Sequence, residues 1–267
     1  MDDLRKKAKD LLESQAVNVI IGYGEGTSGA VRAIFPRKAE ETDKLIYDDR
    51  CTQNLAVYLM KHEIKHMGKK GIVATIPAMR SILQVASEYQ LKEDELVILG
   101  IGPDGKLVDI PGFKAMEDYL ATQDFGIQED DKAILRKIDA MSMEERWSFW
   151  KDELSPCFKC YACRAACPMC YCTRCFVEVN TPQWIPISAN EIGNFEWHLL
   201  RAMHLAGRCI NCGECGRACP LEIPIHLLTY KMTEDVQTDF GVTAGLKADM
   251  PSVLSTYKLE DKETFIR

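Results

Sequence analysis

Apolar positions recur along the N-terminal half with the spacing of helices and strands in turn. Residues 2–14 carry leucine and alanine at helical spacing and residues 17–21 are rich in β-branched side chains, so a helix and then a strand are predicted. A strand at 71–75, a helix at 78–89 and a strand at 96–101 follow from the same kind of pattern. Strand, helix and strand at this spacing form a parallel crossover unit. The N-terminal half is therefore predicted to be an α/β domain.

A glycine-rich segment follows the first predicted strand. Gly24, Gly26 and Gly29 match the dinucleotide-binding pattern G-x-G-x-x-G by letter. A dinucleotide site needs a helix directly after these glycines, so that its N-terminal amides face the pyrophosphate. Pro36 stops the following segment too early for such a helix. We therefore predict a glycine-rich hairpin turn between two strands.

Residues 51–67 are predicted to form a helix that ends at Gly68. Its last turns spell H-E-x-x-H between His62 and His66, the motif of zinc proteases. Histidine and lysine are favoured at a helix C-terminus by the helix dipole alone, and no third ligand stands out downstream. No protease site is predicted, and no serine–histidine–aspartate or paired-carboxylate site can be assembled elsewhere.

The C-terminal half is helical and rich in cysteine. Residues 129–154 are predicted to be helical, with Ser142 and Glu145 as a capping box. A helix at 191–206 interrupts the cysteines, and its His198 and His204 are expected to pack or hydrogen-bond near a metal site rather than bind metal. The expected domains are an α/β domain at 1–125, a helical connector at 126–155, a small α+β, two-cluster ferredoxin-like domain with a helical insertion at 156–232, and an extended tail at 233–267.

Length, composition and charge argue against a membrane-spanning, secreted or nucleic-acid-binding protein. The chain has 267 residues, enough for one large or two modest domains. It has no run of the ~20 apolar residues that a membrane-spanning helix needs, and its N-terminus lacks the apolar core of a secretory signal. A cytoplasmic protein without a membrane span is therefore expected. The net charge of -7 argues against a nucleic-acid-binding surface.

The cysteines carry the strongest signal. Of 12, 11 lie between Cys157 and Cys219, in a chain that is neither short nor recognisably secreted, so they indicate metal ligands rather than disulfides. Two runs, ending at Pro168 and Pro220, read C-x-x-C-x-x-C-x-x-x-C-P without deviation. In two-cluster ferredoxins the first three thiolates of such a run hold one 4Fe-4S cluster and the fourth holds the other.

Zinc is the alternative ligand for clustered thiols, but zinc sites usually take two C-x-x-C pairs per ion and do not require a fourth cysteine followed by proline. Two iron–sulfur clusters are therefore predicted. The expected ligands are Cys157, Cys160, Cys163 and Cys219 for the first cluster, and Cys209, Cys212, Cys215 and Cys167 for the second.

Four cysteines remain after this assignment: Cys170, Cys172, Cys175 and Cys51. They would ligate a third cluster if the α/β domain brings Cys51 near the other three. A zinc ion that braces the insertion, or buried free thiols, are the alternatives.

The chain also resembles a known family. Residues 54–59, 71–75 and 97–101 resemble the β subunits of deazaflavin-reducing hydrogenases and formate dehydrogenases, and residues 145–224 look like the dicluster module of related anaerobic proteins. The resemblance implies a non-catalytic electron-transfer subunit within a larger redox complex. Its partners would be hydrogenase, formate dehydrogenase or heterodisulfide-reductase-like subunits.

Two features depart from that family. The turn at residues 76–80 has no cysteine, and the ferredoxin-like module follows the α/β domain. Both weigh against a bound flavin. An FAD-containing β subunit that itself reduces a soluble carrier is the alternative function, and a metal module with a purely structural role is another.

Overall fold

The computed structural model describes residues 1–175, 177–179, 181–183 and 185–253. The strands of this part of the chain are β1 (Val19–Glu25), β2 (Val31–Ile34), β3 (Leu45–Ile46), β4 (Lys70–Ala74), β5 (Leu96–Ile101) and β6 (Leu107–Ile110). Its α-helices are α1 (Asp2–Glu13), α2 (His62–Lys65), α3 (Ile76–Ser87), α4 (Phe113–Leu120), α5 (Glu129–Asp139), α6 (Met143–Leu154), α7 (Ala162–Ala165), α8 (Glu191–His204), α9 (Glu214–Arg217) and α10 (Ile225–Phe240).

One mixed sheet organises the N-terminal half. Its strands lie in the order β2-β1-β4-β5-β6, and β3 pairs with β1 outside this path. Strands β1, β4 and β5 are parallel, and the other pairings are antiparallel. Every residue of β4 is buried, as expected for a parallel strand covered on both faces. The predicted α/β fold of this half is confirmed.

The glycine-rich segment forms the predicted hairpin, although its strand is longer than predicted. Strand β1 continues through Gly24 and pairs antiparallel with β2, with Gly22 opposite Ile34. A β-carbon at position 24 would come within 2.7 Å of the Ile34 side chain. Glycine at position 24 therefore permits the close approach of the β2 side chain, and no dinucleotide-binding helix follows.

The predicted helix at residues 51–67 is wrong. A 3-10 helix spans Leu55–Met60, and α2 covers only His62–Lys65. The Asn54 side chain caps the 3-10 helix by accepting a hydrogen bond from the Ala56 amide at 3.2 Å, and Lys61 has extended backbone angles that separate the two short helices. Cys51 consequently lies in a loop.

The connector and the helix of the cysteine-rich half follow the prediction closely. Ser142 and Glu145 form the predicted capping box at the start of α6, and α8 matches the predicted helix at 191–206 to within two residues at its end. Helix α10 was not predicted, and it continues to Phe240, so residues 233–240 are helical rather than extended. In the described parts of 156–232 we find helices and loops without a strand, so the α+β ferredoxin-like arrangement is not confirmed.

The cysteine-rich half is anchored to the α/β domain through α3 and the residue that follows it. Arg80 on α3 is 2% exposed and donates hydrogen bonds to the carbonyl oxygens of Ile210 at 2.7 Å and Ala244 at 2.8 Å. Glu88 accepts two hydrogen bonds from the Arg208 guanidinium, at 2.7 and 2.6 Å. The Arg80 contact places Ile210 of the second cysteine run beside the start of α3, which follows the carboxyl end of β4. The Glu88 contact holds Arg208 at the opposite end of the same helix.

Replacing Glu88 by glutamine should lower the free energy of unfolding by about 2–3 kcal/mol, since it leaves the largely buried Arg208 charge without its counter-charge. Burial acts to raise the pKa of Glu88, but hydrogen bonds and charge from Arg208 prevail and hold this pKa below its usual value, so the carboxylate is ionised at neutral pH. Anaerobic urea denaturation measures the loss. Glu129→Gln is the matched control because that carboxylate pairs with Arg136 at an exposed position; equal losses in both variants would contradict the prediction.

None of the helices within the described ranges combines the length and the apolar character needed to cross a bilayer.

Candidate metal centre

The two cysteine runs share one backbone conformation. In each run, the residues two and four positions after the first cysteine have positive φ: Lys159 (56°) and Tyr161 (61°) in the first, Asn211 (59°) and Gly213 (73°) in the second. A short helix then begins five positions after that cysteine in both runs, α7 in the first and α9 in the second. The two helices pack against each other.

This conformation is costly for residues other than glycine. Left-handed backbone is uncommon for lysine and tyrosine and persists only where surrounding structure imposes it, often at functional sites. Turns of this kind direct successive amide groups into a concavity that favours anions, including iron–sulfur clusters. The Lys159 amide already donates a hydrogen bond of 3.4 Å to the Cys157 Sγ. Thiolates and inward-facing amides fit an iron–sulfur cluster.

The cysteines expected at the first cluster lie close enough to influence one another. Burial raises the pKa of Cys157, and the neighbouring Cys160 and Cys219 raise it further. Burial also raises the pKa of Cys163 to about 11, with Cys157 and Cys219 acting in the same direction. Cys219 therefore approaches the first run although it belongs to the second.

The second set shows the reciprocal arrangement. Burial raises the pKa of Cys212 to about 12, and Cys209 and Cys215 contribute in the same direction. A hydrogen bond with Cys170 and burial raise the pKa of Cys167, and Cys212 raises it further. The fourth cysteine of the first run is thus near the second run. Each set has one buried member, Cys163 or Cys215, but only the first set has an exposed member, Cys160.

The structure gathers only some of the four remaining cysteines. Cys170 shares a hydrogen bond with Cys167 that lowers the pKa of Cys170, and it also acts on the pKa of Cys175. Cys172 is exposed. Cys51 lies in the α/β domain, where the Asp48 amide donates to its Sγ at 3.4 Å. Burial raises the pKa of Cys51, and the nearby charges of Asp48, Arg50 and Glu25 modify this shift.

Across the described ranges, no three cysteine, histidine, aspartate or glutamate side chains are grouped so that they could hold a single metal ion.

Helix α8 supplies polar groups to the first run. The Asn194 side chain donates to the carbonyl oxygen of Cys157 at 2.7 Å. The His198 Nε2 lies 3.3 Å from the Cys157 Sγ, as expected for a histidine that hydrogen-bonds near the site. Arg201 donates to the carbonyl oxygen of Cys163 at 2.9 Å. The signal that would have revealed Asn194 and Arg201 is their spacing of four and three residues from His198, which places all three on one helix face.

The second run is held by α3, α9 and α10. The Tyr230 hydroxyl donates a hydrogen bond to the Asn211 carbonyl oxygen at 3.2 Å. The Arg217 guanidinium donates to the Cys212 carbonyl oxygen at 2.6 Å. Beside Cys212 lies a cavity of about 350 Å³ that is also lined by Pro77, Arg80, Phe125 and Tyr230. It is at the carboxyl end of β4, where open α/β sheets commonly bind ligands.

Comparison with known proteins gives partial matches. No family model matches the chain. Over 126 residues it is 29% identical to the F420-dependent formate dehydrogenase subunit beta of Methanocaldococcus jannaschii, covering 46% of this chain and 32% of that protein. Over 105 residues it is 30% identical to the F420-dependent formate dehydrogenase 1 subunit beta of Methanococcus maripaludis, covering 39% of this chain and 26% of that protein. The matches thus span a third or less of these relatives, and over part of the chain they confirm its resemblance to formate dehydrogenase β subunits.

Proposed function

We propose that this chain is an iron–sulfur electron-transfer subunit of a larger anaerobic oxidoreductase of the cytoplasm. The observation that carries the proposal is the repeated loop: the two cysteine runs have identical spacing, share the same left-handed backbone positions and contain a short helix at the same place. The comparisons add support, since both relatives are named as subunits of formate dehydrogenases.

The proposed site lies within residues 156–232. The first 4Fe-4S cluster would be held by Cys157, Cys160, Cys163 and Cys219, and the second by Cys209, Cys212, Cys215 and Cys167. When bound, the two clusters would supply one-electron transfer at potentials that depend on hydrogen bonding and burial.

Residues around the proposed clusters would stabilise the charge on the sulfur ligands and determine which cluster a partner can reach. Amides of the loops and the α8 side chains stabilise negative charge on the sulfur ligands. The exposed Cys160 leaves the first set accessible to a partner, while packing on α3 shields the second. The partners we propose are hydrogenase, formate dehydrogenase or heterodisulfide-reductase-like subunits, and the catalytic reaction would take place on them.

Metal analysis of anaerobically purified protein tests the proposal. We expect about eight iron atoms and about eight acid-labile sulfides per chain, the content of two 4Fe-4S clusters. Stepwise reduction monitored by EPR should then show two paramagnetic centres. Protein that holds zinc instead of iron and sulfide would contradict the proposal, and clusters that accept no electron would assign them a structural role.

A third cluster at Cys170, Cys172 and Cys175, with Cys51 as the candidate fourth ligand, is a further part of the proposal; zinc is not proposed there, because no three potential ligand side chains of the described residues are grouped around a single metal ion. We expect Cys51→Ser to leave the metal content unchanged, because the Cys51 thiol is buried in the core of the α/β half and accepts a hydrogen bond from the Asp48 amide. Iron, sulfide and zinc are measured in this variant and in wild type. A loss of about four iron atoms would instead show that Cys51 completes a third cluster.

FAD in the α/β domain, with reduction of a soluble carrier by this chain, is the second candidate function. The cavity of about 350 Å³ beside Cys212 favours it, because it adjoins the second cysteine run at the carboxyl end of β4. Acid extraction of the anaerobic protein decides between the two. Stoichiometric flavin in the extract would favour the second candidate, and an extract without flavin would exclude it.

A further inference from the structure

Helix α8 presents a buried polar face to the first cysteine run. Asn194, His198 and Arg201 are only 1%, 1% and 2% exposed, although each carries a strongly polar side chain. Each contacts a cysteine of the first run: Asn194 and His198 at Cys157, and Arg201 at Cys163. A buried polar side chain normally has its hydrogen-bonding groups satisfied. Here His198 Nδ1 and Arg201 Nε have no partner among the described residues.

Arg201 is the most unusual member of this face because its charge has no carboxylate partner in the parts of the chain that the structure describes. Its charged neighbours are thiols: Cys163 from the first set, Cys167 and Cys215 from the second, and Cys170. Burial disfavours the charged guanidinium, but these thiolates prevail and hold the pKa of Arg201 above its usual value.

A buried cation without a counter-charge is strongly destabilising. The thiols around Arg201 carry negative charge only when they are deprotonated, as they are when they bind iron. The position of the guanidinium is therefore explained by an anionic centre on either side of it. The guanidinium donates to the carbonyl oxygen of Cys163 from the first set, and Cys167 and Cys215 from the second set also act on its charge.

We propose that Arg201 raises the reduction potentials of both clusters by holding a buried positive charge beside their ligands. The inference rests on the proposed function, because it requires the clusters to be present. Each added electron increases the negative charge beside the guanidinium, and an opposite charge in a poorly solvated site favours that reduced state. His198, whose Nε2 lies 3.3 Å from the Cys157 Sγ, acts on the first cluster.

The test is an anaerobic redox titration, monitored by EPR, of wild type and of Arg201→Gln, Arg201→Met and Arg201→Lys. We expect both neutral variants to make reduction of each cluster at least tenfold less favourable, a shift of about 59 mV for a one-electron couple. The lysine variant retains the charge and should restore most of the wild-type potential. A purely structural arginine would not produce this dependence on charge.

Arg217→Gln is the matched control. Arg217 also donates to a carbonyl oxygen of a cysteine loop, but its side chain is 49% exposed and is paired with Glu214. Solvent and the carboxylate compensate this charge, so its removal should shift the potentials much less than removal of Arg201. Equal shifts in Arg217→Gln and Arg201→Gln would overturn the inference.

Iron and sulfide analysis of every sample distinguishes a failure of the proposed function from a failure of the proposed role of Arg201. Wild type without iron and sulfide would refute the proposed function itself. Neutral Arg201 variants with full cluster content and wild-type potentials would refute only the role of Arg201. If the neutral variants lose their clusters, the lysine variant decides: retained clusters at wild-type potential support the role of the charge, and loss of the clusters in this variant too would assign Arg201 a structural role.

Discussion

Replacing Cys163 by serine should abolish the EPR signal of one cluster, and replacing Cys219 should abolish the same signal. These cysteines are 56 positions apart in the sequence and belong to different runs, yet Cys219 acts directly on the pKa of Cys163. Cys167→Ser and Cys215→Ser should abolish the other signal. EPR of the reduced variants, together with about four iron atoms lost per chain, measures each effect.

The decisive result is which variants lose the same cluster signal, and a double variant tests this directly. Combining Cys163→Ser with Cys219→Ser should remove no more iron than either change alone, because both act on one cluster and their effects are not additive. Cys51→Ser serves as the control, since it replaces a buried thiol outside both runs and should preserve both signals. If Cys219→Ser instead abolished the signal that depends on Cys215, each run would hold its own cluster and the crossed assignment would be wrong.

Replacing Arg80 by methionine should lower the free energy of unfolding by about 3–5 kcal/mol. The change leaves the buried carbonyl oxygens of Ile210 and Ala244 without a donor, and each such loss costs about 1–3 kcal/mol. It also removes the guanidinium that lies 4.3 Å from the centre of the Phe125 ring. Anaerobic urea denaturation followed by circular dichroism measures the loss.

Arg136→Met provides the matched control for Arg80. The Arg136 side chain is 64% exposed and pairs with an exposed glutamate, so its loss should change stability by less than about 0.5 kcal/mol. A cost below about 1 kcal/mol for Arg80→Met would mean that the hydrogen bonds to Ile210 and Ala244 do not hold the two halves together.

The elements that the sequence predicted well are those whose signal is local. The strand at 96–101 and the helix at 78–89 have regular periodicity, and the structure has β5 and α3 there. The helix predicted at 51–67 was wrong because apolar spacing alone does not reveal that Asn54 caps a 3-10 helix or that Lys61 is extended. Helix α10 was not predicted, because its few buried residues, Ile225, Leu227, Thr229, Tyr230 and Val236, do not recur with a regular helical spacing.

The candidate ligand sets come from the same kind of local signal and remain predictions. The spacing of each cysteine run is local information, and the expected ligand sets depend on it alone. Arg201 could not be assigned from the sequence, because the residues that surround it lie in both runs and only the fold brings them together. Asn194 and His198 likewise have meaning only through their contacts with Cys157.

The two cysteine loops share one backbone conformation, which determines where substitutions can make the two proposed centres differ. Both loops offer the same framework of left-handed turns, so a difference between the two proposed centres would originate in loop side chains, in solvent exposure and in the helices beside them. The first is bordered by α8 and the second by α3 and α10. In the proposed two-cluster module, substitution of His198 on α8 or Tyr230 on α10 would therefore alter one centre, whereas substitution of Arg201 on α8 would alter both, and none of these changes removes a cysteine ligand.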